Sequence, residues 1–195
     1  MTSKVEICNL ALSNIGKGVP ISDLNEASEE ARQCQLHYPM ARDTLLQLYP
    51  WRFAEKTLSM AEVENDWAER WSHAYQQPSG ILKLLRIIPG LDIENAINPV
   101  SYGRRGERIY CNHAPAFLSF ITRIDDPVKF PPLFVDALSW ALSARIAFPL
   151  TRDARLRQEI NQTAREIRAS AETSDANDDF NFADLMAEQH VARVV

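Results

Sequence analysis

The longest regular pattern in the sequence is an apolar stripe within residues 27–48. Its members are spaced alternately four and three residues apart, as on one face of an α-helix; they are Ala27, Ala31, Cys34, Tyr38, Ala41, Leu45 and Leu48. The stripe predicts a helix over residues 26–49, with a kink near Tyr38 because Pro39 lacks a backbone N–H. A helix of about six turns with one apolar face must bury that face, so the pattern favours a largely helical core.

Three further helices have start signals in the sequence. Ser3 and Glu6 have the spacing of a capping box, in which each side chain accepts a hydrogen bond from a backbone N–H near the helix start, and they predict a helix over residues 3–16. Two prolines suited to a first helical turn precede an apolar pattern over residues 131–148. A threonine cap then introduces the last predicted helix, over residues 152–172.

Residues 54–125 have a different pattern, with short apolar runs bounded by Pro and Gly. Glycines at 103 and 106 flank two arginines between the candidate strands 97–102 and 107–112, which favours a hairpin tip at residues 103–106. Trp67 and Trp71 are four residues apart, a spacing that suits one helical turn or an aromatic plug. These features predict a small antiparallel β lobe inserted between the helix pairs.

The predicted fold class is α+β, mainly α: a four-helix bundle with an inserted small antiparallel β lobe at about residues 54–125 and a flexible C-terminal tail. Residues 1–172 form a single domain in this prediction. The remaining residues, 173–195, form the tail, which is acidic because residues 172–188 contain six acids and no base. An apolar patch in the tail would become ordered on a partner; it consists of Phe180, Phe182, Leu185 and Met186.

Charge and cysteine content exclude several classes of protein. The 195 residues include 21 basic and 26 acidic side chains, a formal net charge of −5, with a sequence pI near 5.4. This balance argues against a basic groove that grips nucleic acid and against a polybasic membrane anchor. No run of about 18 apolar residues and no signal-peptide pattern is present, so we expect no membrane span. The three cysteines form no Cys-x-x-Cys motif, which favours reduced core residues in a cytoplasm.

The search for catalytic chemistry in the sequence favours no enzyme. The four histidines lack metal-ligand spacing, and no glycine loop fits a phosphate, so we expect no metal and no cofactor. Cys8 and Cys34 lie on apolar helix stripes, which favours packing over a nucleophilic role. Glu26, Glu29 and Glu30 could act as acid–base carboxylates, but acids at a helix start also complement the helix dipole. We therefore predict no catalytic residues.

The one compact basic patch in the sequence consists of Arg104, Arg105 and Arg108. A patch of this kind could contact DNA phosphate, an acidic partner or only water, and the residues alone leave all three open. We take these arginines, together with the apolar patch of the tail, as the candidate partner-binding residues.

Several segments resemble the tail tubular protein A family, the head-to-tail adaptors of short-tailed bacteriophages. Residues 7–16, Ile-Cys-Asn-Leu-Ala-Leu-Ser-Asn-Ile-Gly, resemble the start of that family. Residues 38–46 resemble its Tyr-Pro-x-x-Arg-Asp helix, and residues 49–54 its Pro-Trp-x-Phe-Ala turn. The similarity continues in order through residues 75–78, 120–127 and 134–151. It spans about residues 5–170 and does not include the tail.

The resemblance implies a structural virion protein without enzymatic activity. Members of the family form a ring of about twelve copies beneath the phage portal protein, which continues the DNA channel toward a tail nozzle of the tail tubular protein B type. Such a connector serves genome ejection and is assembled in the cytoplasm of the host bacterium. Double-stranded DNA would pass through without sequence-specific binding, and an acidic chain suits a channel wall that must not hold DNA.

Two other functions compete with this interpretation. The first is a helical interaction module of a bacterial host, which mass spectrometry of purified particles would distinguish from a virion protein. The second is an accessory protein of cell-wall hydrolysis, which a peptidoglycan zymogram with Glu-to-Gln variants would reveal.

Overall fold

A computed structural model describes residues 2–90 and 100–191, and it describes side chains as far as residue 177 in the last helix. Within these residues the chain folds as two compact units. The first unit combines Met1–Leu45 with Asp125–Val195, and the second is Leu46–Ile124.

The predicted four-helix bundle with a small lobe is wrong. The part of the chain that the structure describes is mixed α/β, with four helices (49% helical) and two antiparallel sheets (19% strand). The physical reason is that the inserted strands form a core of their own, so the insertion is an independent layered unit rather than an appendage. The single domain predicted over residues 1–172 includes the whole second unit together with residues 1–45 and 125–172 of the first.

The four described helices are α1 (Lys4–Asn14), α2 (Glu29–Leu48), α3 (Pro132–Thr151) and α4 (Ala154–Val191). The predicted capping box of α1 is present, because Glu6 N donates to Ser3 Oγ over 3.1 Å and Ser3 N donates to Glu6 Oε2 over 2.7 Å. Helix α2 continues through Pro39. Helix α4 extends beyond its predicted end at residue 172 and reaches Val191.

The apolar stripe of α2 is buried along most of its length. The buried members are Ala31, Cys34, Tyr38, Ala41 and Leu45, whereas Ala27 precedes the helix and Leu48 is exposed. Polar side chains also connect the helices of the first unit. Ser143 on α3 donates to the carbonyl of Ala11 on α1 over 3.0 Å, and Arg145 donates to Thr44 on α2 over 3.2 Å.

Helix α3 is the one described helix that is long and apolar enough to cross a membrane by length and composition. Its apolar face is fully buried in the first unit, with Phe134, Leu138, Leu142 and Ile146 all at 0% exposure. The helices α1 and α4 both pack against it. Burial of this kind is typical of the central helix of a protein core.

The second unit contains seven described strands in two antiparallel sheets. The strands are β1 (Glu55–Ser59), β2 (Glu62–Val63), β3 (His73–Gln76), β4 (Ile81–Ile88), β5 (Gly103–Arg105), β6 (Arg108–Cys111) and β7 (Phe117–Thr122). Sheet A has the order β1-β7-β4, and sheet B has the order β2-β3-β6-β5. Short 3-10 helices at Arg52–Ala54 and Pro127–Lys129 precede β1 and α3.

One apolar core fills the space between the two sheets. Tyr75 and Ile109 of sheet B pack in one cluster with Ile87, Leu118 and Phe120 of sheet A. A second, smaller cluster lies on the opposite face of sheet B and is built from Trp71, Ala74 and Tyr110, with Val63 and Trp67 packed against it. Sheet B therefore has an inner face toward sheet A and an outer face that carries the two tryptophans.

The predicted hairpin forms with its turn shifted along the chain. Arg105 pairs with Arg108, so the connection is Gly106-Glu107. Gly106 has φ +57°, the conformation that a type II′ turn requires of its first central residue. Residues 103–105 are strand rather than tip. Half of the candidate strand 97–102 lies outside the described residues, and its other half, residues 100–102, is not in a strand.

Candidate functional site

The outer face of sheet B carries an aromatic and cationic surface that we name the tryptophan face, defined by Trp67, Arg70, Trp71, Arg105 and Tyr110. A single helical turn before β3 supplies the first three, because Trp71 N donates to Trp67 O over 3.2 Å. The hairpin β5–β6 supplies the other two. The Trp67 ring meets Trp71 and Tyr110 edge to face, with centroid distances of 6.5 and 5.4 Å.

Gly103 allows strand β5 to lie directly over the two indoles. A Cβ at this position would come within 2.8 Å of Trp71 Nε1 and 3.1 Å of Trp67 Cζ3. Real Cβ atoms do not approach other atoms to 2.8 Å, so any larger residue would push the strand or the indole away. The glycine thus has a packing role, which the sequence did not reveal because glycine next to arginines suggested a loop.

The three predicted arginines do not share one surface. Side chains alternate between the faces of a strand, so Arg104 and Arg105 lie on opposite faces of β5. Arg104 pairs with Ile109, which belongs to the inner cluster. Arg105 pairs with Arg108 and belongs to the tryptophan face.

Arg108 is neutralised within the protein. Its Nη1 lies 2.9 Å from Asp66 Oδ1, and Tyr110 Oη donates to the same carboxylate oxygen over 2.6 Å. The hydrogen bonds from Tyr110 and Arg108 hold the pKa of Asp66 below its ordinary value, because both donors favour the ionised carboxylate. This network fixes the turn that carries Trp67 onto strand β6.

Arg105 and Arg70 differ from Arg108 because neither forms an ion pair within the described part of the chain. The guanidinium carbon of Arg105 lies 3.8 Å from the centre of the Trp67 ring, and that of Arg70 lies 5.6 Å from the same ring. Stacking on an indole orients a guanidinium and leaves its N–H donors at the edge, where a carboxylate or phosphate can accept them. Both arginines are exposed. The sequence prediction included Arg105 but missed Arg70. The signal that could have identified Arg70 is its position next to two tryptophans that are four residues apart.

The Tyr-Pro-x-x-Arg-Asp segment has a structural role. Arg42 is 5% exposed, and its guanidinium forms ion pairs of 2.8 Å with Asp43 and 2.5 Å with Asp125. Asp125 begins the second segment of the first unit, so Arg42 ties together two parts of the chain about 80 residues apart in sequence. The neighbouring Tyr38 is also buried, and burial raises the pKa of its phenol.

The cysteines are buried and free. A hydrogen bond with Cys34 and burial both raise the pKa of the Cys8 thiol, which disfavours a thiolate. Within residues 2–90 and 100–177, no three His, Cys, Asp or Glu side chains come close enough to hold a metal ion. The predicted apolar patch of Phe180, Phe182, Leu185 and Met186 lies outside the residues whose side chains are described.

Comparison with known proteins gives no assignment: no family model and no curated protein matches this chain. The tryptophan face is therefore the candidate functional surface on its own geometry. It has the aromatic anchors and unpaired guanidinium groups that are common in protein interfaces.

Proposed function

We propose that the protein is a structural component of a phage virion, a head-to-tail adaptor that forms a ring between the portal protein and the tail nozzle. In this role about twelve copies enclose the channel through which double-stranded DNA passes. The protein performs no catalysis, binds no cofactor and recognises no DNA sequence. It acts in the virion and is assembled in the cytoplasm of the infected bacterium.

The observation that carries the proposal is the ordered series of segments from residue 7 to residue 151 that resembles the tail tubular protein A family. Two of its most specific residues have fold-determining positions here. Arg42 is buried in its ion pairs, and Trp51 is 2% exposed. Related structural proteins would share a pattern of buried residues, because packing constrains those residues. The exposed surfaces of such proteins instead adapt to different partners.

The exposed surfaces also suit a ring. A closed ring of identical copies needs two different contact surfaces on each copy. The tryptophan face supplies a cationic surface in the second unit, and α4 supplies a long helix with exposed charged residues such as Arg155 and Glu166 in the first. The net charge of −5 suits a channel wall that repels DNA.

The test is light scattering of the protein alone and after mixing with the portal protein from the same genome. We expect the portal complex to gain the mass of about twelve copies. Absence of any binding to the portal would contradict the adaptor function and favour an interaction module of the host. A zone of clearing on a peptidoglycan zymogram would instead favour the hydrolase accessory.

A further inference from the structure

The tryptophan face carries positive charge that nothing in the described part of the second unit neutralises. Arg70 and Arg105 both lie against the Trp67 ring, whereas Arg108 beside them has Asp66 as its partner. Two like charges that stack on one ring repel each other, and an anion placed between their donors would relieve that repulsion. The acids nearest in sequence, Glu69 and Glu107, are exposed, and neither forms an ion pair among the described residues.

The excess negative charge of the chain is concentrated in the second half of α4. Residues 172–188 contain six of the 26 acids, and without them the chain has 20 acidic against 21 basic residues. Glu172 is already paired with Arg168 at 3.3 Å. The four acids that follow residue 177 are Asp178, Asp179, Asp184 and Glu188.

Helix α4 is much longer than the helix α3 that packs against it. Helix α4 has 38 residues and follows directly on α3, which has 20. At 1.5 Å per residue the lengths are about 57 and 30 Å, so α3 alone can cover only about half the length of α4. Two side chains of the first half, Ile160 and Ala171, are buried. A short helical segment rich in like charges has little stability of its own, so a cationic partner would stabilise it.

We propose that the acidic segment of α4, residues 178–191, of one copy binds the tryptophan face of a second copy. Carboxylates of the segment accept hydrogen bonds from the guanidinium groups of Arg70 and Arg105. The two surfaces lie on different units, so the contact is heterologous and can continue from copy to copy until a ring closes. The inference rests on the self-association in the proposed function but requires no portal.

The experiment is sedimentation velocity of the full chain over about 1 µM to 1 mM, without portal. The test variant is Arg105→Glu, and the matched control is Arg104→Glu, which makes the same charge change one residue away on the opposite face of the strand. A neutral-segment variant carries Asp178→Asn, Asp179→Asn, Asp184→Asn and Glu188→Gln. Circular dichroism checks that every variant is folded.

We expect the wild type and Arg104→Glu to associate alike as the concentration rises, and Arg105→Glu to associate at least about tenfold more weakly. The neutral-segment variant should also lose association. An equimolar mixture of Arg105→Glu with the neutral-segment variant should form a 1:1 complex and nothing larger, because one intact contact remains. Raising the salt concentration should weaken all of these contacts.

Three results would overturn the contact. One is a wild type that remains monomeric throughout; if that protein still joins the portal, the proposed function stands and this inference fails. Another is equal association by Arg105→Glu and Arg104→Glu. The third is a wild type that binds a labelled DNA duplex, an Arg105→Glu variant that does not, and a neutral-segment variant that still self-associates normally. The tryptophan face would then bind phosphate.

Discussion

Gly103 shows how one atom can decide the position of a strand. The chain passes so close to Trp71 that an added methyl group would lie 2.8 Å from Nε1. We predict that Gly103→Ala lowers the free energy of unfolding by about 1–3 kcal/mol, since strand β5 or the indole must move. Denaturant unfolding followed by tryptophan fluorescence measures the change.

Gly18→Ala is the control for Gly103→Ala, because no atom lies within 4 Å of the added methyl group and the glycine has no positive φ. It should leave stability unchanged within about 0.5 kcal/mol. Equal stability of the two variants would refute the close approach at Gly103.

Asp66 gives the second unit a specific acid dependence. Tyr110 and Arg108 lower the pKa of Asp66 in the folded protein, so this carboxylate stabilises the fold above its unfolded pKa. This contribution to stability is lost as the pH falls below 3.8, the ordinary pKa of an Asp side chain, and then through the lowered pKa of Asp66 in the folded protein. We predict that Asp66→Asn melts below the wild type at pH 7 and that the gap between their melting temperatures closes at low pH.

Thermal melts of Asp66→Asn and wild type between pH 7 and pH 2 test this dependence. Glu69→Gln is the control, because Glu69 lies on the same turn without a hydrogen bond or ion pair among the described residues. A melting-temperature gap for Asp66→Asn that stays constant with pH would rule out the carboxylate as its source.

At the scale of elements, helix α1 depends on the capping residue that precedes it, Ser3. The Ser3 hydroxyl accepts from Glu6 N, which has no partner within the helix. Ser3→Ala should destabilise the first unit by about 1 kcal/mol, whereas Ser13→Ala at an exposed position of the same helix should be neutral or slightly stabilising. Hydrogen exchange of the amides at residues 4–6 measures the local effect. Protection that is the same in both variants would contradict the cap.

The helices could be predicted from the sequence because their signals are local. The cap at Ser3 and the stripe of α2 each depend on residues within a few turns. The order of the strands in the two sheets could not, because strand pairing joins distant residues: Glu55 of β1 pairs with Ile121 of β7. Strand β2 has only two residues, Glu62–Val63, too few for a visible alternation.

The candidate surface was predicted only in part for the same reason. The cluster of arginines at 104–108 is visible in the sequence, but their division between two faces of sheet B depends on the position of the turn at Gly106. The pairing of Arg105 with Trp67 joins residues 38 positions apart, and no local pattern indicates it. Arg108 and Arg105 look equivalent in the sequence, yet Asp66 neutralises only the first.

At the scale of the whole molecule, the acidic residues that we assign to assembly lie apart in sequence from the buried residues that stabilise the fold. The first half of α4 carries the buried side chains Ile160 and Ala171, and the acidic residues 178–188 follow in its second half. Truncation of residues 173–195 removes only the second half and leaves in place every buried side chain that the structure describes in the first unit. We predict that the truncated protein loses less than about 1 kcal/mol of unfolding free energy.

The same truncation should abolish assembly while it preserves the fold. Without the acidic segment, the arginines of the tryptophan face have no carboxylates to bind on the next copy, so the ring contact is missing. We expect the truncated protein to remain monomeric in light scattering and to add far fewer than twelve copies to the portal. The control is Arg104→Glu, which alters the charge of the full chain and leaves both proposed surfaces intact. A truncated protein that assembles on the portal as the full chain does would show that the ring closes through other surfaces.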